Sequence, residues 1–221
     1  CADEMTTAAS NAFLKTREEP HGNVTIILTT SRQDRIWPTI LSRCQQIHCE
    51  KIPVQEIADA LVEKYEADEV QAKLAAAFSQ GSFTRAVEFL DEDMQQLRVD
   101  VVDMLRTVLK KNVYRVELLE RIDNILKFKD RKYIERALTL LSLWLKDAYT
   151  MKLANRRNGL VNSDQTATIE KFISHYGDSD FQAALTKIEN SLGLLPKNVN
   201  QQLILLTLLL DIRQIFLDKK T

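Results

Sequence analysis

The sequence predicts a mainly α-helical protein that opens on the tail of an α/β domain. Three observations point there. Only 5 Gly and 4 Pro occur in 221 residues, so helix breakers are scarce and loops few. From about residue 95 onward, apolar residues recur at helical spacing almost without interruption. One early run, Val24-Thr25-Ile26-Ile27-Leu28, is β-branched and nearly all apolar, the pattern of a strand buried on both faces of a parallel sheet.

Taken in order, Thr6 and Thr7 are placed to cap a helix running through Thr16, and Pro20-His21-Gly22 marks a turn. The strand Val24 to Leu28 follows, closed by Thr29-Thr30-Ser31, and Gln46-Ile47-His48-Cys49 reads as a further short strand. A parallel strand needs neighbours. With Cys1 close to a helix start and no initiator Met, its partners are expected before Cys1, in a longer protein.

Residues 53 to about 91 read as three short helices. Pro53 suits a first turn, and Ile57, Leu61 and Val62 share a face. Val70, Leu74, Ala77 and Phe78 form the second stripe. Gly81 ends that helix and Ser82 caps the third, with Ala86, Val87 and Leu90 inward. Asp91-Glu92-Asp93 marks a boundary.

Beyond it the stripes are Leu97, Val101, Met104, Leu105, Val108 and Leu109, then Val116, Leu119, Ile122 and Leu126. The next is Ile134, Leu138, Leu141, Trp144, Leu145, Ala148 and Met151, broken by Asn158-Gly159. Shorter helices carry Ile169, Phe172 and Ile173, then Phe181, Leu185, Ile188 and Leu192. The last runs from about Val199 to Phe216. Its stretch Leu203 to Leu210 is apolar on every side, which places it in the centre or in an oligomer contact.

Composition narrows the function. Hydrophobic residues make up 45% and charged residues 28%, with a net charge of -1. That balance argues against a dedicated nucleic-acid binder, which is usually basic. Three cysteines, Cys1, Cys44 and Cys49, suit a reducing cytoplasm better than a disulfide scaffold. The longest apolar stretch is far too short to span a bilayer. Cys44, His48 and Cys49 lie close in sequence, but tetrahedral zinc needs a further ligand pair at suitable spacing, so no metal is expected. His21 and His175 stand in turn and helix-end contexts, which forms no Ser-His-Asp grouping.

The residue with chemistry to offer is Arg43, in Thr39-Ile40-Leu41-Ser42-Arg43-Cys44, just after a turn marked by Pro38. A guanidinium is planar, permanently charged and forked, so it grips two phosphate oxygens at once. By composition alone Arg43 is a surface arginine paired with an acid. These 221 residues hold no G-x-x-x-x-G-K-[ST] loop, and an arginine can act on a nucleotide held by a neighbouring subunit.

The context changes that reading. Asn11-Ala12-Phe13-Leu14-Lys15-Thr16, then Glu18-Glu19-Pro20, a strand ending in Thr29-Thr30, and Ser42-Arg43-Cys44 together resemble the clamp-loader branch of the AAA+ ATPases, in the form carried by the bacterial DNA polymerase III holoenzyme. The motifs cover residues 1 to about 90, and the rest matches by helical pattern.

The resemblance implies an architecture. Residues 1–51 would be the C-terminal part of an AAA+ nucleotide-binding domain, 52–93 a three-helix lid, and 94–221 an all-α collar that joins subunits into a ring. It implies that Arg43 is an arginine finger acting in trans on ATP and Mg²⁺ held by the next subunit, with Ser42 orienting the loop and Cys44 packing beneath it. It places Thr29 or Thr30 at the nucleotide-sensor position, where the plainer reading is a hydroxyl capping the strand end. The implied partners are gamma/tau and delta clamp-loader subunits and, through the assembly, the sliding clamp and primed DNA, in the cytoplasm and with no membrane. No cofactor is expected in this chain.

Departures from the family pattern favour a subunit that does not hydrolyse ATP. Cys1 falls where a second acidic motif supplies a carboxylate, and Asp3 and Glu4 then start a helix. Gly81-Ser82-Phe83-Thr84-Arg85 puts Thr84 at the lid's arginine sensor and Arg85 one step, about 100°, around the helix. Arg17 replaces a usual leucine. The rivals are a gamma-type ATPase and a plain helical interaction module. The basic runs Lys127 to Lys132 and Arg156-Arg157 read as solvated helix ends rather than as a DNA surface.

Overall fold

The computed structural model describes residues 2–18, 22, 25–112, 114–127, 130–154, 159–197 and 199–217. Those residues are mainly helical and contain no strand. They form two units, residues 1–50 and 51–221.

In the first unit a 3-10 turn, Ala2–Glu4, precedes α1, Thr7–Glu18. Thr6 caps α1, its Oγ1 accepting from the Ala9 N–H at 3.2 Å. A second 3-10 turn, Gln33–Arg35, leads to the four-residue α2, Pro38–Leu41. The expected strands are absent among the described residues. Residues 25–30 and 45–50 have no regular secondary structure, and Ile26, Ile27 and Ile47 are 46%, 82% and 79% exposed. The reason is physical: a strand's hydrogen bonds come from a neighbour, and no described segment supplies one.

The second unit holds α3 (Val54–Tyr65), α4 (Glu69–Ser79), α5 (Phe83–Glu88), α6 (Glu92–Val108), α7 (Tyr114–Leu126), α8 (Arg131–Ala154), α9 (Thr166–Tyr176), α10 (Phe181–Leu194) and α11 (Gln201–Leu217). Side chains cap several starts. Asp68 accepts from Val70 and Gln71 N–H, Ser82 from Arg85 N–H, Asp180 from Ala183 N–H and Asn200 from Leu203 N–H. Pro53 lies one residue outside α3, at its N-cap.

The turn between α4 and α5 requires glycine. Gly81 has φ +91°, and a Cβ there would come 2.5 Å from Lys51 Cβ. The same approach lets Ile52 N–H donate to Gly81 O at 3.3 Å.

One continuous apolar core runs from Ile57 to Phe216. α8 lies at its centre, against α4, α6, α7, α9 and α10, and all seven residues of its predicted stripe are buried. Trp144, which meets Phe172 edge-on at 5.0 Å, and Tyr149, stacked on Phe181 at 5.8 Å, are core aromatics. On α7 the register differs from the predicted stripe. Leu118, Ile122 and Ile125 are buried, while Val116 and Leu119 are exposed. On α3, Val62 is also exposed. On α11, Ile204, Leu205, Leu208, Leu209, Ile212 and Phe216 face the core, but Leu203 and Leu210 are 58% and 41% exposed.

Several polar groups buried with this core are paired, while Arg121 Nε is buried without a hydrogen-bond partner among the described residues. Arg98 of α6 donates to Asn162 Oδ1 and Asp164, and Asp147 of α8 accepts from Val161 N–H, Asn162 N–H and Asn162 Nδ2 at 3.1, 2.7 and 2.7 Å. Together they hold the α8–α9 connection against the bundle. Arg213 of α11 donates to the carbonyls of Val108 and Lys110 at the end of α6 and lies 3.9 Å over the Tyr114 ring.

Candidate functional site

Arg43 follows Ser42, the C-cap of α2. Pro38 stands at the first helical position, where its missing N–H costs nothing. Ile36 and Ile40, 7% and 1% exposed, anchor the segment. Main-chain bonds then wind the chain tightly through the motif: Ser42 N–H to Pro38 O, Arg43 N–H to Ile40 O, and Cys44 N–H to Leu41 O, at 2.9, 3.1 and 3.2 Å.

The side chain of Arg43 is exposed. Its Nη1 donates to Thr39 O at 3.2 Å, and Ser42 Oγ donates to the same oxygen at 3.3 Å. Both thus satisfy the otherwise unpaired C-terminal end of α2. Cys44 is half-buried and Cys49 exposed, both as free thiols, so Cys44 does not sit fully beneath the loop.

The two threonines of the expected sensor position differ. Thr29 is exposed, and its carbonyl accepts from Ala2 N–H at 2.9 Å. Thr30 Oγ1 donates to Asp3 Oδ1 at 3.1 Å and accepts from Arg32 N–H at 2.9 Å. Arg32 in turn reaches Asp3 Oδ2 through Nε at 3.0 Å and Nη2 at 2.9 Å. The Asp3 side chain is 2% exposed and that of Arg32 45%. Burial pushes the Asp3 carboxyl up, but the hydrogen bonds it accepts and the Arg32 charge hold it, on balance, below its ordinary value. Asp3 was expected to start a helix. It lies within the 3-10 turn Ala2–Glu4 and closes a polar clasp, a pairing across 27 and 29 residues that no local pattern announces.

Arg85 points elsewhere. Its guanidinium lies 5.6 Å from the Phe78 ring centre and 3.8 Å from Glu135 Oε1 on α8. Next to it, Arg136 of α8 pairs with Glu88 of α5 at 2.6 Å. Among the described residues no group of three His, Cys, Asp or Glu side chains is arranged to hold a metal ion, and no helix is long and apolar enough to cross a membrane. Lys127 bonds Asn124 on its own helix at 2.7 Å. Cys1, Glu19 to His21, Val24, Phe128, Lys129, Arg156, Arg157 and Asn158, and the side chains of Arg17 and Glu18, lie outside the described residues.

Comparison with known proteins gives two family matches in chain order. Residues 1–53 match "DNA polymerase III, delta subunit", and residues 117–214 match "DNA polymerase III, delta subunit, C terminal". The delta' subunit of DNA polymerase III from Bacillus subtilis is 24% identical over 203 residues, 91% of this chain and 60% of the relative. The delta' subunit from Pseudomonas aeruginosa is 28% identical over 226 residues, covering 95% of this chain and 63% of the relative. The chain therefore spans about three fifths of the length of these two relatives. The tau subunit from Escherichia coli is 37% identical, but over only 37% of the chain. The tau likeness covers a minor part, whereas the delta' likeness runs through nearly all of it and through the C-terminal helices, so the chain belongs to the delta-prime family of DNA polymerase III subunits.

Proposed function

We propose that this chain works as a non-hydrolysing stator in a clamp loader, lending Arg43 in trans to an ATP site on a neighbouring gamma/tau-type subunit. One observation carries the reading: an exposed arginine stands just past a short helix in a segment anchored by buried Ile36 and Ile40, so an exposed guanidinium is carried on a fixed base. One contact of the guanidinium is with Thr39 O, a neutral acceptor. A triphosphate offers charged acceptors, which bind a guanidinium more strongly than a neutral carbonyl does. Such a cation neutralises charge that develops in phosphoryl transfer.

The helical bundle offers a surface for assembly. α7 and α11 run antiparallel: Asp123 of α7 accepts from Gln202 of α11 at one end, and Tyr114 stacks on Arg213 at the other. Val116, Leu119, Leu203 and Leu210, all exposed, lie on these two helices. In the proposed collar they meet the gamma/tau and delta subunits, and the assembled ring loads the sliding clamp onto primed DNA in the cytoplasm. ATP and Mg²⁺ belong to the neighbour's site.

The test is Arg43→Ala in the full-length protein, reconstituted with its partner subunits. Turnover at the ATP site that Arg43 faces should fall by about 10³-fold or more, with ring assembly intact by size-exclusion chromatography. Unchanged hydrolysis in an assembled ring would refute the finger.

A further inference from the structure

We propose that Asp3 is an internal anion occupying an oxyanion-binding turn built from Thr30 and Arg32, so that this chain's own sensor position is filled from within. The inference deepens the non-hydrolysing reading above. It is independent of whether Arg43 acts in trans.

Three features of the turn suit an oxyanion. The Thr30 hydroxyl donates in one direction, the Arg32 guanidinium presents Nε and Nη2 in another, and both converge on one carboxylate within 3.1 Å. Arg32 N–H, donated to Thr30 Oγ1, orients that hydroxyl so that its proton points at the anion. A carboxylate and a phosphate present the same motif to such a set, a pair of charged oxygens that accept hydrogen bonds. The carboxylate is nearly sealed from water while its cation is half open. The charge is therefore neutralised at the inner end of the turn, and the cation stays reachable from outside.

Asp3 is held in place by its own backbone neighbour. Ala2 N–H donates to Thr29 O at 2.9 Å, which fixes the 3-10 turn Ala2–Glu4 against the residue preceding Thr30. An external phosphate must displace a tethered anion at high effective concentration, and so loses. The arrangement explains why a threonine can stand at a sensor position and yet sense nothing: its hydroxyl proton is spent on Asp3 and the oxygen accepts from Arg32 N–H, both inside the chain.

The experiment follows the Arg32 Nε–Hε signal of the 221-residue chain by NMR, assigned by its loss in Arg32→Lys, during titration with inorganic phosphate and with pyrophosphate. In the wild type the signal should exchange slowly and stay unmoved by either anion. In Asp3→Ala it should shift saturably, with apparent affinity raised by about tenfold or more, the scale of releasing one charge-assisted pair. Asp3→Asn, which keeps the shape and removes the charge, should fall between. An equal phosphate shift in wild type and both variants overturns the proposal. So does no shift in either variant when the amide spectrum remains dispersed. Should Asp3→Ala unfold, Asp3→Asn and the wild-type exchange rate decide: fast exchange of Arg32 Nε–Hε in the wild type refutes the clasp itself.

Discussion

The two units solve the same problem with different forces. Among the described residues of 51–221 one apolar core ties helices α3 to α11 together. In residues 1–50 only Ile36 and Ile40 are buried among the large apolar side chains described, while Ile26, Ile27, Trp37 and Ile47 are exposed. What holds the first unit is polar: the Asp3–Thr30–Arg32 clasp and the 2.8 Å bond from Gln33 to Gln46. Core burial is non-directional and strong per unit area. Partly exposed polar clasps contribute less to stability but fix geometry. The residues with chemistry to offer, Arg43 and the Thr30 turn, sit in the unit held by geometry.

The largest effects should come from the helical core. Phe89, fully buried and 5.0 Å from Phe78, should cost about 3–5 kcal/mol when changed to Ala, read as a lower midpoint of the main helical melt by circular dichroism. Ile40→Ala should leave that midpoint nearly unmoved and raise amide exchange only within residues 25–50. A common shift of both would show that the units do not differ as described.

Asp147→Ala comes next. It strands two buried N–H groups and the Asn162 amide, and should cost about 3 kcal/mol in denaturant unfolding. Gly81→Ala should cost about 2 kcal/mol, because φ +91° strains any L residue and the new Cβ meets Lys51. Its signature is loss of exchange protection at Ile52 N–H.

The smallest effect is electrostatic. Glu117 accepts from Lys110, Thr107 and Arg121. The Lys110 bond first, then Thr107, and more weakly Arg121, hold its carboxyl below the ordinary value, although burial acts the other way. A carboxyl depressed on folding adds stability that is complete above its unfolded pKa and is lost as pH falls through the folded one. Glu117→Gln should therefore flatten part of the acid limb of stability below the ordinary carboxylate range and change little at neutral pH.

The stripe on α8 was fully legible because a 24-residue helix at the centre of a bundle has neighbours on several sides, so every apolar position on its face finds cover. α7 was not. Tyr114–Leu126 carries apolar residues on more than one face, and periodicity cannot tell which one α6, α8 and α11 will take. Residues 25–28 take no strand here for a related reason: β-branched apolar residues record a preference for sheet, but the partner strand that realises it is a tertiary fact, and that partner was expected before Cys1. Arg43 was singled out as a candidate by its motif. The clasp was not, since Asp3 and Arg32 are 29 residues apart and acids near a helix start are ordinary.

By itself, then, the amino-acid order determined where helices begin and end, because caps, glycines and apolar spacing act within a few residues. It also marked out the arginine, through a run of adjacent motifs. Only the tertiary structure decided which face of α7 is buried, that Thr30 spends its hydroxyl on Asp3, and that Arg85 turns to Phe78 and Glu135. Those outcomes depend on groups distant in sequence competing for the same partner, and that competition is settled by distance and burial.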